Sequence, residues 1–193
     1  MVDFQFTEEP HEYKLDSVVI PSVTQILLDL GIIRLVADEY LQRGTAVHKA
    51  CELYDKSIPD ESTITKEIQP YLLAWKQFLS DTQFIIDEIE TPDYSNKYKY
   101  GFKIDRIGML ENKITILDIK TANVPNHLAN KLQLVGYQLG YNERHKLEEY
   151  KATRRIAVHL KSSGTYKIEE YKDKKDINSW LSCLNVYNLK YGG

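Results

Sequence analysis

Cysteine is scarce in this chain of 193 residues, which contains only Cys51 and Cys183. Two cysteines cannot build the disulfide framework that stabilises small secreted proteins. They also cannot supply the four thiolates that hold an iron–sulfur cluster. We therefore expect no iron–sulfur cluster, and we expect both cysteines to be buried thiols in separate helices.

Long hydrophobic runs and nucleotide-binding motifs are absent as well. No stretch of about 18 apolar residues could span a membrane, and no basic segment followed by an apolar one marks the chain for export. We therefore expect a cytoplasmic protein without a membrane partner. The motif G-x-x-x-x-G-K-[ST] does not occur, so any ATP-driven motor would have to be a separate chain.

The composition, 42% hydrophobic and 27% charged residues, predicts one compact domain over residues 1–193. A net charge of -3 argues against a large nonspecific surface for nucleic acid. Basic residues nevertheless cluster at Lys97, Lys99, Lys103 and Arg106. They could line a local basic groove, or they could be a solvated strand face.

The hydrophobic periodicity predicts an α/β fold with helices first and a mixed sheet in the middle. Ser22 and Gln25 indicate a capped helix start, and Gly31 indicates its end. Further helices are predicted at 38–56, 65–79, 126–141 and 173–189. In the fourth helix we expect Leu128 and Leu132 to face inward. Strands are predicted at 4–6, 13–15, 18–20, 84–90, 98–109, 113–121, 155–161 and 165–171.

Two aspartates and a lysine stand at the ends of two apolar, β-branched runs. Asp118 and Lys120 are two residues apart on a predicted strand, so their side chains share one face. Asp105 lies on the preceding strand, and a turn at Glu111–Lys113 would bring it beside them. Carboxylate oxygens favour Mg²⁺ or Mn²⁺, so the pattern indicates one or two such ions. The alternatives are ordinary strand-end aspartates and a simple ion pair between Asp118 and Lys120.

This pattern, Asp followed by Asp-x-Lys on the next strand, resembles the core motif of the PD-(D/E)XK nuclease superfamily. Three segments stand in the order found in its RecB-type branch, which includes phage and mitochondrial exonucleases: Arg43–Glu52, Gly101–Gly108 and Gln133–Tyr141. The resemblance covers residues 21–141. It implies a restriction-endonuclease-like core, with a central mixed β-sheet flanked by helices and an N-terminal helical segment.

The resemblance also implies roles for individual residues. Lys120 would orient the attacking water. The expected metal ligands are His48, Asp105, Asp118 and the carbonyl of Ile119. The expected catalytic set is Asp105, Asp118, Lys120, Glu52, Gln133 and Tyr137, the last two matching a Q-x-x-x-Y signature. We expect DNA contacts from Arg43, Lys103, Arg106 and Tyr141.

Several of these roles have simpler alternatives. His48 could be a structural histidine on an amphipathic helix. Glu52 could bind a second metal through water or orient the lysine. Glu88 is similar to an acidic residue that some relatives use. Glu90 is two residues further along the same predicted strand and would point to the same face, so it is an equal candidate. The Gln133 helix face could simply pack on the sheet.

The sequence and its resemblance together predict a divalent-metal-dependent DNA nuclease. Of the two kinds of nuclease, they favour an exonuclease that acts from free ends over an endonuclease. The implied setting is phage-type recombination, replication or repair in a bacterial or phage-infected cell. The expected partners are single- or double-stranded DNA and a separate helicase, annealing or single-strand-binding protein. The alternatives are a catalytically silent nucleic-acid-binding module and an interaction protein on the same fold.

Overall fold

A computed structural model describes residues 2–34 and 37–192. A small antiparallel sheet of order β1-β2-β3 comes first in the chain. Its strands are β1 (Phe4–Thr7), β2 (Glu12–Leu15) and β3 (Val18–Ile20).

The main sheet has the order β4-β5-β6-β7-β8. Strands β6 and β7 are parallel, and the other neighbouring pairs are antiparallel, so the sheet is mixed. The strands are β4 (Ile85–Ser95), β5 (Tyr100–Leu110), β6 (Lys113–Lys120), β7 (Arg154–Leu160) and β8 (Tyr166–Glu170).

Helices cover both faces of the main sheet, and alternate residues of β6 show the two layers. The helices are α1 (Val23–Asp29), α2 (Asp38–Asp55), α3 (Gln69–Thr82), α4 (His127–Arg144) and α5 (Asp176–Tyr191). Ile116 packs with α1, α4 and α5, whereas Leu117 and Ile119 pack with α2 and α3. This two-sided burial is why β6 is apolar along most of its length.

A two-residue turn at Glu111 and Asn112 sets the register between β5 and β6. The φ angles of these residues are 49° and 59°, which is the left-handed geometry of a type I′ hairpin turn. Leu110 consequently pairs with Lys113, and the ladder continues to Arg106 opposite Leu117. This register carries the next residue of each strand, Asp105 and Asp118, to the same end of the hairpin.

The predicted α/β fold with a central mixed sheet between helices is confirmed. The Ser22 side chain accepts the predicted capping hydrogen bond from the Gln25 backbone N–H at 3.0 Å. The third helix begins later than predicted, at Gln69, because Thr65–Ile68 form a turn instead. Leu128 is 51% exposed rather than inward-facing, since burial in α4 begins only at Ala129. Among the described residues, no helix is both long enough and apolar enough to cross a membrane.

Candidate metal centre and catalytic residues

Three side chains converge at the end of the β5–β6 hairpin and form what we call the His–Glu–Asp cluster. They are His48 of α2, Glu90 of β4 and Asp105 of β5, whose possible ligand atoms all lie within 4.8 Å of one another. The Nδ1 atom of His48 lies 3.4 Å from Oδ2 of Asp105 and 3.9 Å from Oε1 of Glu90. Two carboxylates and an imidazole thus meet at one point.

The backbone of Ile119 ties the cluster to the sheet. Beyond the pairing of Arg106 with Leu117, the Asp105 carboxylate takes over the role of a ladder acceptor. Its Oδ2 accepts a hydrogen bond from the Ile119 N–H at 2.7 Å. The Ile119 carbonyl in turn accepts a hydrogen bond from Nε2 of His48 at 3.0 Å. Strand β5, strand β6 and helix α2 are therefore fastened together beside the cluster.

Glu90, and not Glu88, supplies the acid from β4. The pairing of β4 with β5 shifts register between Ile86 and Glu88, and Glu90 has a φ of 52°. A left-handed residue breaks the regular alternation of side chains along a strand. Glu88 instead lies near Tyr141 and Asp93, whose pKa values are raised by burial and also by the charge of Glu88. Glu88 and Glu90 are two residues apart on β4, but because of this irregularity their side chains do not share one environment.

The charged groups of the cluster shift one another's pKa values. Burial raises the pKa of Asp105, and the neighbouring carboxylates of Asp118 and Glu90 raise it further. Burial alone would lower the pKa of His48, but Asp105 and the other carboxylates raise it to about 9. The imidazole is thus cationic at neutral pH and partly neutralises the acids. A site that draws a proton in this way has the charge to hold a cation.

An ion pair between Asp118 and Lys120 continues as a chain of hydrogen bonds to helix α4. The Nζ atom of Lys120 lies 2.5 Å from Oδ2 of Asp118 and donates to Oε1 of Gln133 at 2.8 Å. The amide nitrogen of Gln133 donates to the Tyr137 hydroxyl at 2.8 Å and to Oγ1 of Thr24 at 3.2 Å. The structure therefore brings the predicted lysine, glutamine and tyrosine together. Thr24 lies within the predicted helix start between Ser22 and Gln25, but no role in the site was predicted for it.

A buried ion pair lies beneath the cluster. Nε of Arg106 donates to Oδ2 of Asp55 at 2.7 Å, and both side chains are almost completely buried. Another guanidinium nitrogen lies 2.5 Å from the Asp105 carbonyl and 3.4 Å from Oε1 of Glu90. Asp55 was not singled out from the sequence, although its spacing continues the buried stripe of Val47 and Cys51 on α2.

Arg106 and Tyr141 do not meet the expectation that they contact DNA. The Arg106 side chain is fully buried and is committed to its carboxylate partners. Tyr141 is also buried, and its ring stacks on His145. The apolar strand and helix faces that carry these two residues point into the core, so neither side chain reaches the surface.

The other predicted residues make contacts outside the cluster or at its edge. Glu52 pairs with Lys49 and Lys56, at 3.0 Å and 2.6 Å, and so does not join it. Nζ of Lys103 lies 3.4 Å from Glu90. Arg43, near the start of α2, places its guanidinium over the rings of two tyrosines, Tyr40 and Tyr71.

The donors of the cluster fit a hard divalent cation. Carboxylate and carbonyl oxygens suit Mg²⁺ and Mn²⁺, and a neutral imidazole suits Mn²⁺ better than Mg²⁺. The buried thiol of Cys51 does not belong to the cluster, so the donor set lacks the thiolates typical of structural zinc. His48, Glu90 and Asp105 are thus the side chains that could hold such an ion, and Asp118 is near enough for its charge to raise the pKa values of His48 and Asp105.

Neither a family model nor a curated protein sequence matches the chain. Solved structures do: a protein of Eubacterium rectale, named as a candidate exonuclease, superposes with a TM-score of 0.54 at 10% identity. The match covers 87% of this chain and 73% of that one. The chain has the PD-(D/E)XK nuclease fold.

An alkaline exonuclease from Laribacter hongkongensis is a further match, at 11% identity and a TM-score of 0.47. That match covers 88% of this chain and 86% of the other. The same enzyme in complex with dAMP matches at 12% identity and a TM-score of 0.41, covering 89% and 87% of the two chains.

Proposed function

We propose that this chain is a divalent-metal-dependent deoxyribonuclease of the RecB-type branch, and that residues 1–193 form one nuclease domain. The observation that carries the proposal is the meeting of two groups at one end of the β5–β6 hairpin. One is the His–Glu–Asp cluster, and the other is the pair formed by Asp118 and Lys120. Cation ligands and a positioned lysine side by side are what phosphodiester hydrolysis requires.

The ligands would be His48, Glu90, Asp105 and Asp118, with the Ile119 carbonyl beside them. A bound Mg²⁺ or Mn²⁺, as one or two ions, would polarise the phosphoryl oxygen and lower the pKa of the attacking water. His48 must lose its proton to become a ligand, because only the neutral imidazole has a free lone pair.

Lys120 would act directly on the reacting groups. Its ammonium, held by Asp118 and Gln133, can donate a hydrogen bond that orients the attacking water. It also places a positive charge where negative charge develops in the transition state. Gln133, fixed by Tyr137 and Thr24, would keep the lysine in this position. Glu52 is engaged with two lysines, so we assign it no part in the reaction.

The setting of the activity belongs to the same proposal. The substrate would be DNA, degraded from free ends in phage-type recombination, replication or repair in the cytoplasm of a bacterial or phage-infected cell. A helicase, annealing or single-strand-binding protein would act as a separate chain. Lys103, which lies 3.4 Å from Glu90, and Arg43, near the start of α2, could contact DNA phosphates.

Digestion of end-labelled DNA tests the proposal. Linear single strands, linear duplexes and covalently closed circles would be incubated with Mg²⁺, Mn²⁺ or EDTA. We expect linear DNA to be degraded with either metal, closed circles to survive and EDTA to abolish activity. Cleavage of closed circles would show an endonuclease, and no cleavage of any substrate would indicate a silent module on the same fold.

A further inference from the structure

A groove of about 1150 Å³ lies between the small sheet, α1 and the end of α5. It exceeds the volume of most small-molecule pockets, which are about 300–1,000 Å³. Its walls include exposed apolar and aromatic side chains, which soluble proteins usually cover. Val18 is 64% exposed, Val19 is 56% exposed and Tyr191 is 47% exposed.

This groove borders the candidate catalytic site. Thr24 and Tyr137 belong to its wall, and both are hydrogen-bonded to Gln133, which holds Lys120. Lys103, another wall residue, lies 3.4 Å from Glu90 of the His–Glu–Asp cluster. The groove wall is therefore one side chain away from Lys120, and a polymer lying in the groove would lie beside the site.

Away from the site the groove follows helix α1 towards α5. Leu28 lines it one turn beyond Thr24, and the Tyr191 hydroxyl bonds to the neighbouring Asp29 carbonyl at 3.3 Å. The rings of Tyr187 and Tyr191, with centroids 5.0 Å apart, form an aromatic surface at this end.

The charges and rings of the wall suit unpaired nucleotides. Lys99 provides positive charge for phosphates, whereas Lys103 shares its charge with Glu8 at 3.0 Å and Glu90 at 3.4 Å. Of the wall carboxylates, Glu12 is paired with Lys14 at 2.6 Å, and Asp16 accepts a hydrogen bond from a backbone N–H. Tyrosine rings bind bases by stacking, which needs bases that are exposed on their flat faces. In a duplex those faces are covered by neighbouring base pairs.

We propose that this groove binds the single-stranded end of DNA and leads it to the catalytic site. The proposal deepens the proposed nuclease function and rests on it. It assigns Tyr191 to base stacking and Lys99 to phosphate binding. The bound strand would run from the α5 end, past Lys103, to Lys120.

Binding of a fluorescein-labelled oligothymidylate about 12 nucleotides long tests the groove, since this length suits a groove of this kind. Fluorescence anisotropy would be measured in EDTA, so that no turnover occurs. We expect Tyr191→Ala to weaken binding about tenfold, because stacking contributes about 1–3 kcal/mol per base. Tyr191→Phe should retain most of the affinity, and Tyr150→Ala, at an exposed tyrosine outside the groove, should retain all of it.

Lys99→Gln should weaken binding and lower the slope of log affinity against log salt by about 0.7, the value for one phosphate contact on a single strand. Tyr191→Ala should leave that slope unchanged, and Lys146→Gln is the charge-matched control outside the groove. The groove proposal is overturned if Tyr191→Ala and Lys99→Gln bind like the wild type, or if a duplex of equal length binds as tightly.

Hydrolysis by the wild type, measured separately with Mn²⁺, distinguishes the two proposals. Unchanged binding in the groove variants together with normal hydrolysis would overturn the groove and leave the nuclease function standing. The predicted binding pattern without any hydrolysis would support the groove and overturn the nuclease function.

Discussion

Lys120 donates a hydrogen bond to Oε1 of Gln133 at 2.8 Å. This contact joins the last residue of β6 to the middle of α4. Gln133 is itself buried and fixed through its amide nitrogen to the hydroxyl of Tyr137. The glutamine therefore limits where the ammonium of the lysine can lie.

Replacing this glutamine should slow turnover without removing metal. For Gln133→Leu we expect kcat to fall about tenfold to a hundredfold, the usual cost of losing a residue that orients an active group. Metal affinity measured by calorimetry should stay near that of the wild type. Gln138→Leu, on the same helix but bonded to the Ala152 carbonyl, is the control and should retain its rate. Equal losses in both variants would point to damage to α4 rather than to a positioning role.

The two glutamates of β4 offer a matched pair for the metal centre. Glu90→Gln removes a charged member of the His–Glu–Asp cluster, so Mn²⁺ affinity should fall at least about tenfold. Glu88→Gln makes the same chemical change on the same strand, away from the cluster, and should not change the affinity. Calorimetric titration of both variants with Mn²⁺ measures the two affinities. If Glu88→Gln bound Mn²⁺ more weakly than Glu90→Gln, the assignment of Glu90 as the ligand would be wrong.

Sequence reasoning could predict most of the fold and part of the site. Periodic apolar residues and turn signals predicted the elements, since burial on both faces leaves strong patterns. The motif also named residues that meet in space, namely Asp105, Lys120 and Gln133. It could not choose between Glu88 and Glu90, because the choice depends on a left-handed residue within β4.

For Arg106, the sequence led to a wrong prediction of where the side chain lies. Its place in a basic stretch suggested a surface contact, yet the side chain is buried against Asp55 and Trp75. A charged side chain is buried in a core only when an oppositely charged group pairs with it. The partner of Arg106 is Asp55, which lies 51 residues away in the sequence. Local patterns do not report such distant pairing.

The buried pair should therefore matter for stability. For Arg106→Gln we expect the free energy of unfolding to fall by about 3–5 kcal/mol, because Asp55 is left as an uncompensated buried charge. Lys172→Gln removes a surface ion pair with Glu170, in which the lysine side chain is 77% exposed, and should cost no more than about 1 kcal/mol. Urea denaturation of both variants measures the difference. Similar small losses would show that the buried pair contributes little.

The metal-free protein should lose stability as the pH rises. The pKa of His48 is raised from 6.5 to about 9 in the folded chain, so the folded state holds this proton more tightly than the unfolded state. The resulting stabilisation is fully present below pH 6.5 and is lost as the pH rises through about 9. Thermal melting in EDTA should show this fall in Tm.

Two histidine variants check the origin of that pH dependence. His48→Gln should flatten the fall in Tm over this range, because the titrating group is gone. His145→Gln, outside the cluster, should leave it in place. An unchanged profile in His48→Gln would contradict the electrostatic description of the cluster.

The central claim, that Lys120 is catalytic beside a metal held by carboxylates, is tested most directly by comparing three variants on one linear DNA substrate. Rates and Mn²⁺ binding would be measured together for Lys120→Ala, Asp105→Asn and Asp118→Asn. Lys120→Ala should bind metal but turn over about a hundredfold more slowly or worse, whereas the two aspartate variants should lose metal and activity together. Near-wild-type rates in Lys120→Ala would instead show that the lysine is only the ion-pair partner of Asp118.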